Sequence, residues 1–131
     1  WGDSRIGNII WDDFRAAAVL DWEMASFGQP EMDLGWFLYF DRQFTDPLGV
    51  PRPAGFPSHE DTVEYYSKQM GRPMQDLFFY EVFSGFRFAV VMLRLSDLLL
   101  ETEILPAEAD MRSNNIATQL LATMLDLEPP T

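Results

Sequence analysis

The run Trp1-Gly2-Asp3-Ser4-Arg5-Ile6-Gly7-Asn8-Ile9-Ile10, together with Ala18-Val19-Leu20-Asp21-Trp22-Glu23 further on, decides how this chain folds. A short apolar run from Asn8 to Trp11 meets the acidic turn Asp12-Asp13-Phe14-Arg15, and a second apolar run from Ala16 to Leu20 follows. Two such runs around a polar turn predict a β-hairpin, although the turn lacks the Asn-Gly or Asp-Gly pair that favours a tight reversal. A hairpin brings its outer ends together, so Asn8 and Asp21 are expected to meet at one end, with Asp3 just upstream and Glu23 just downstream. Hard oxygen donors placed this way suit magnesium, which takes one or two carboxylates and fills its shell with water and substrate phosphate.

Outward from the hairpin the pattern becomes helical. Pro30 is well placed to open a helix that runs to about Phe40, mostly apolar and buried. From Asp41 to Ser58, Pro47, Pro51, Pro53 and Pro57 alternate with Gly49 and Gly55, which predicts an irregular loop of 18 residues. A loop of that length is a lid or substrate-binding segment, or else a spacer packed down by Phe44, Leu48, Val50 and Phe56. Ser58-His59-Glu60-Asp61 has the form of a capping box, and its helix should stop at Gly71 before Arg72-Pro73. His59, the single histidine, is read as an exposed helix-start residue with no catalytic or metal role. From Met74 to about Glu103 large residues recur at steps of three and four, and Phe79, Val82, Phe83, Phe86, Val90 and Leu93 are read as a core-facing stripe, the alternative being that part of the aromatic run Phe78 to Phe88 lines an acceptor pocket or packs on a further domain. Pro106 breaks the chain, a last helix is expected from about Ala107 to Leu127, and Trp11, Trp22 and Trp36 are read as core. The expected fold class is mainly α with a small β-hairpin.

Composition narrows the function. The 131 residues are 47% hydrophobic, enough for one core, and carry a formal net charge of -12, which argues against a protein that works by neutralising nucleic-acid phosphates. Without cysteine there is no disulfide framework, no thiolate zinc site and no thiol nucleophile. The longest apolar run, Phe88 to Leu93, has six residues, far short of the roughly 20 needed for a membrane span. A cytoplasmic location is expected.

The spacing Asp3-x-x-x-x-Asn8, followed by a hairpin and Asp21, has the order of a kinase catalytic loop and its second metal-binding Asp. With Leu20-Asp21-Trp22-Glu23 and Gly28-Gln29-Pro30-Glu31-Met32-Asp33-Leu34, these residues resemble the aminoglycoside phosphotransferase family, also called the phosphotransferase enzyme family, of the protein-kinase-like fold. The resemblance covers about the first 35 residues. The Asp-Trp-Glu variant with Gly-Asp-x-Arg-x-Gly-Asn is similar to phosphotransferase domains fused to acyl-CoA dehydrogenases.

The resemblance implies Asp3 as catalytic base, Arg5 as a cation near the transferred phosphoryl group, and Asn8 and Asp21 as magnesium and nucleotide ligands. It places Asp33 as the helix residue that braces the catalytic loop, and Glu23 either as a ligand of a second magnesium or as a group that orients its neighbours. Trp1 stands where the family usually has His, and Gln29 replaces the usual Asp; neither removes the implied base or metal ligands. The implied reaction is phosphoryl transfer from ATP or GTP, with Mg2+, to the hydroxyl of a small molecule, either hydroxyacyl-CoA-like or an aminoglycoside. The competing class is a non-catalytic scaffold of the same fold. The single Lys68 lies in a polar helix, and no glycine-rich loop precedes a lysine strand, so the chain is expected to be the C-terminal lobe, residues 1-131, and inactive without its nucleotide lobe.

Overall fold

A computed structural model describes residues 1–45, 49–106 and 109–131. The chain starts with a 3-10 turn, Ile6–Asn8, and runs straight into β1 (Ile9–Asp12), which pairs antiparallel with β2 (Arg15–Val19). Ile9 faces Val19 and Asp12 faces Arg15, with a bulge after Ile10. Asp13 and Phe14 both take positive φ, 45° and 59°, so the reversal has the primed geometry that suits strand twist despite the missing glycine. Asp tolerates this region; Phe14 does so with its ring almost wholly in solvent.

Four helices follow: α1 (Glu31–Thr45), α2 (His59–Met70), α3 (Leu77–Glu101) and α4 (Ile116–Met124). α1 begins after Pro30, as expected, but continues through Asp41 to Thr45, so the first residues of the predicted 41–58 loop are helical. Nothing local stops the helix at Phe40: Asp41, Arg42 and Gln43 are tolerated inside a helix, and the first proline comes later. Leu48 lies outside the described residues, whereas Phe44 stays half exposed against Phe40, with ring centroids 5.9 Å apart. α2 is capped as predicted, by Ser58 and Asp61 at the start and by Gly71 at φ 67° at the end.

α3 is the central element, packed on both α1 and α4. Gly35 and Gly85 make the crossings close. A Cβ at Gly35 would lie 2.7 Å from Tyr80 Cβ, and one at Gly85 would collide with Leu121 and the ring of Tyr39. The core gathers Trp36, Tyr39, Phe40 and Leu120, with Phe88 and Met124 against them. Burial raises the Tyr39 hydroxyl pKa, and its proton is donated to Gln43.

Three expectations are corrected here. The stripe on α3 faces outward: Phe79 is 61% and Phe86 59% exposed, with Phe83, Val90 and Leu93 also open. The buried face instead holds Glu81, Ser84, Gly85, Met92 and Ser96, and Gly85 lets Tyr39 of α1 and Leu121 of α4 approach. Trp11 and Trp22 are exposed and only Trp36 is core. α4 is shorter than expected and starts at Ile116, because Asn115 and Thr118 form a second capping box; Ala107 lies outside the described residues. Glu31 is buried at the head of α1 and takes both nitrogens of Arg72, which joins the end of α2 to α1 and holds the Glu31 carboxyl at about 2. Among the described residues no helix is long and apolar enough to cross a membrane.

Candidate functional site

Asp3 and Asn8 are buried in the turn that enters β1. Asp3 Oδ1 accepts Trp36 Nε1-H at 2.8 Å, while Oδ2 accepts Asn8 Nδ2-H at 2.7 Å and Arg5 Nε-H at 3.0 Å. A carboxylate offers about four lone-pair directions, so one on Oδ1 is left open. Asn8 Nδ2 also donates to the Asp3 carbonyl at 3.1 Å, which fixes the amide with its Oδ1 turned away from the loop. That oxygen accepts no hydrogen bond among the described residues.

The loop is pinned to the first turn of α1. Asp33 Oδ1 accepts the Gly2 amide at 2.8 Å, and Oδ2 accepts the Trp1 nitrogen at 3.0 Å. Ser4 Oγ donates to the Asp33 carbonyl at 2.6 Å. Gly2 has φ 96°, and a side chain there would run into the Met24 carbonyl, so the close approach of the loop to the 22–25 turn needs glycine. Arg87 reaches across from α3, donating to the Gly2 carbonyl at 3.3 Å while lying 4.4 Å above the Trp36 ring. Trp1 Nε1 donates to the Leu20 carbonyl at 2.8 Å, tying the loop to the strand exit that leads to Asp21.

The hairpin register brings Asn8 next to Asp21. The Leu20 amide donates to the Asn8 carbonyl at 2.8 Å, one step beyond the Ile9/Val19 pair, and the chain then turns at Asp21 with φ 60°. Asp21 and Glu23 are exposed and make no side-chain bond among the described residues. The Asn8 side-chain oxygen and the Asp21 carboxylate, neither of them bonded to another side chain among the described residues, are the kind of oxygen donors that magnesium takes, with water and phosphate completing the shell. No cluster of three His, Cys, Asp or Glu side chains suited to a metal occurs among the described residues.

Trp36 was expected only as a core residue, which it is, and Ser4 and Arg87 were not singled out in the sequence. Trp36 had a usable signal, because it lies one turn after Asp33 on the same face of α1, whereas Arg87 reaches the loop from a helix remote in sequence. His59 is not a free helix-start residue: its Nε2 lies 2.6 Å from Asp41 Oδ2 and its Nδ1 3.2 Å from Arg42.

Residues 1–64 match the family described as the phosphotransferase enzyme family. Acyl-CoA dehydrogenase family member 10 of Mus musculus is 33% identical over 101 residues, covering 70% of this chain and 9% of the relative. Acyl-CoA dehydrogenase family member 11 is 34% identical over 80 residues in Mus musculus and over 77 in Homo sapiens, in each case covering 53% of this chain and 10% of the relative. The chain spans about a tenth of the length of these curated relatives.

Proposed function

From the match of residues 1–64 to the phosphotransferase enzyme family, we propose that this chain is the catalytic C-terminal lobe of a small-molecule kinase, transferring a phosphoryl group from ATP or GTP to an alcohol. The observation that carries the reading is the Asp3 carboxylate, held from three sides by Trp36, Asn8 and Arg5 with one lone pair on Oδ1 open. In that role Oδ1 accepts the proton of the acceptor hydroxyl as the new O-P bond forms, and the electron pair of the breaking bond leaves with the nucleoside diphosphate. Phosphoryl transfer asks for positioning more than covalent work, and the loop pinned by Asp33 supplies it.

Asn8 Oδ1 and Asp21 would hold Mg2+, with Glu23 near a second ion or steadying Asp21. When bound, the cation offsets charge on the phosphate oxygens. Arg5 uses Nε on Asp3 and keeps the remainder of its half-exposed guanidinium for the transferred group. A separate nucleotide-binding lobe is part of this reading. The acceptor is an alcohol of the hydroxyacyl-CoA or the aminoglycoside kind.

The test is transfer of labelled γ-phosphate from ATP or GTP to a panel of small alcohols by the full-length protein. Labelled product that requires Mg2+ is expected. A scaffold gives no product and no shift of melting temperature with Mg2+ and nucleotide, and that result overturns the proposal.

A further inference from the structure

α1 addresses the catalytic loop along one continuous stripe. Asp33 pins its backbone and Trp36 holds Asp3; on the same helix Phe37, Phe40 and Phe44 line, with Ile6 and Gly7, a cavity of about 310 Å³. Arg5 joins the two regions, because the side chain whose Nε bonds Asp3 also lines this cavity. A group lodged there is therefore one side chain away from the Asp3 carboxylate.

We infer that this cavity is a subsite for an uncharged apolar group of the acceptor, which makes the preferred acceptors alcohols with an alkyl or aryl substituent and disfavours polycations. The inference rests on the phosphotransferase reading of Asp3. Besides Arg5, Asp41 and Thr45 the cavity is lined by three phenylalanines, an isoleucine and a glycine, and Ile6 and Phe44 are about half exposed, apolar surface that an acceptor would cover. The charges at its edge decide the sign. Arg5 is a cation, and the lining carboxylate, Asp41, is already engaged through Oδ2 by Arg52 and His59. A polycation entering here meets Arg5 and finds Asp41 neutralised, so the chain's net charge of -12 does not translate into an acidic acceptor site.

Gly7 provides the test. A Cβ there meets nothing within 4 Å and its φ is ordinary, so Gly7→Leu adds bulk at the cavity wall without backbone strain. The full-length protein, its Gly7→Leu and Phe44→Asp variants and Asp3→Asn are compared with straight-chain primary alcohols from ethanol to octanol, benzyl alcohol and an aminoglycoside. Binding is read by tryptophan fluorescence and turnover by nucleoside diphosphate release, and circular dichroism confirms each variant is folded. Affinity is expected to rise about threefold to fourfold per added methylene until the cavity is full. Gly7→Leu and Phe44→Asp should each weaken octanol and benzyl alcohol at least tenfold, and kcat/KM for octanol should exceed that for the aminoglycoside at least tenfold. Affinity independent of chain length, equal affinity in both cavity variants, or preference for the aminoglycoside overturns the subsite. If the alcohols bind as expected yet neither wild type nor Asp3→Asn turns them over, the cavity stands and the phosphotransferase reading fails.

Discussion

Removing the Asp33 carboxylate releases the loop that carries Asp3 without touching Asp3 itself. In Asp33→Ala the Gly2 amide loses its acceptor at 2.8 Å, whereas the Ser4 bond to the Asp33 carbonyl survives because it uses the main chain. A hydrogen bond to a charged acceptor contributes about 1.5–3 kcal/mol, and the Asp33 side chain is 32% exposed, so the lower end applies. That bond then holds the loop by about 1.5 kcal/mol, equivalent to a fall of roughly tenfold in kcat if the displaced loop misplaces the base. Asp33→Asn keeps one acceptor but turns an amide NH2 toward an N-H, and should fall in between. The assay is kcat at saturating nucleotide and acceptor beside a thermal melt. A folded Asp33→Ala protein with kcat within threefold of wild type refutes the bracing role.

Trp36→Phe keeps the ring near Phe40 and Arg87 but deletes the donor to Asp3 Oδ1, and should lower kcat about tenfold with little change in nucleotide KM, measured by steady-state kinetics. Asp21→Ala should raise the Mg2+ concentration for half-maximal activity at least tenfold; an unchanged magnesium titration would remove Asp21 from the metal site. Glu31→Gln tests the Arg72 clamp through pH. The folded carboxyl sits at about 2 against an ordinary 4.5, so its contribution is complete above pH 4.5 and disappears as pH falls toward 2. The shift sets a ceiling of about 3 kcal/mol, which solvent around the 39% exposed Arg72 reduces to about 1–2 kcal/mol. Thermal melts at pH 7 should therefore show the variant roughly 3–8 °C lower, with the gap closing below pH 4.5.

What the sequence made legible was local. The hairpin, the Ser58 capping box and the Gly71 stop depend on residues within a few positions of one another, and each lies where expected. The end of α1 was misplaced because proline density further along suggested a loop, while Asp41 to Thr45 carry no breaker of their own. On α3 the period of three and four located a helix but not the face it buries. The Phe79–Leu93 stripe looked like core, yet Ser84 and Gly85 allow the closer crossing and take the inside. Asp3, Asn8 and Asp21 could be placed from spacing plus a hairpin, since all lie within one supersecondary unit. Arg87 could not be paired with the loop in the same way, because its contact to Gly2 spans 85 residues. His59 was misread for a related reason: its cap position is local, but its partners Asp41 and Arg42 come from another helix.

The role of Asp3 is tested most directly by measuring turnover and nucleotide affinity together in the full-length protein and its Asp3→Asn variant. An asparagine is close to isosteric, so the loop's outline is kept while the proton acceptor is lost. With Mg2+ and saturating nucleotide and alcohol, turnover should fall at least a hundredfold while nucleotide Kd stays within threefold. Turnover that survives the substitution would contradict Asp3 as the base, whatever the rest of the loop does.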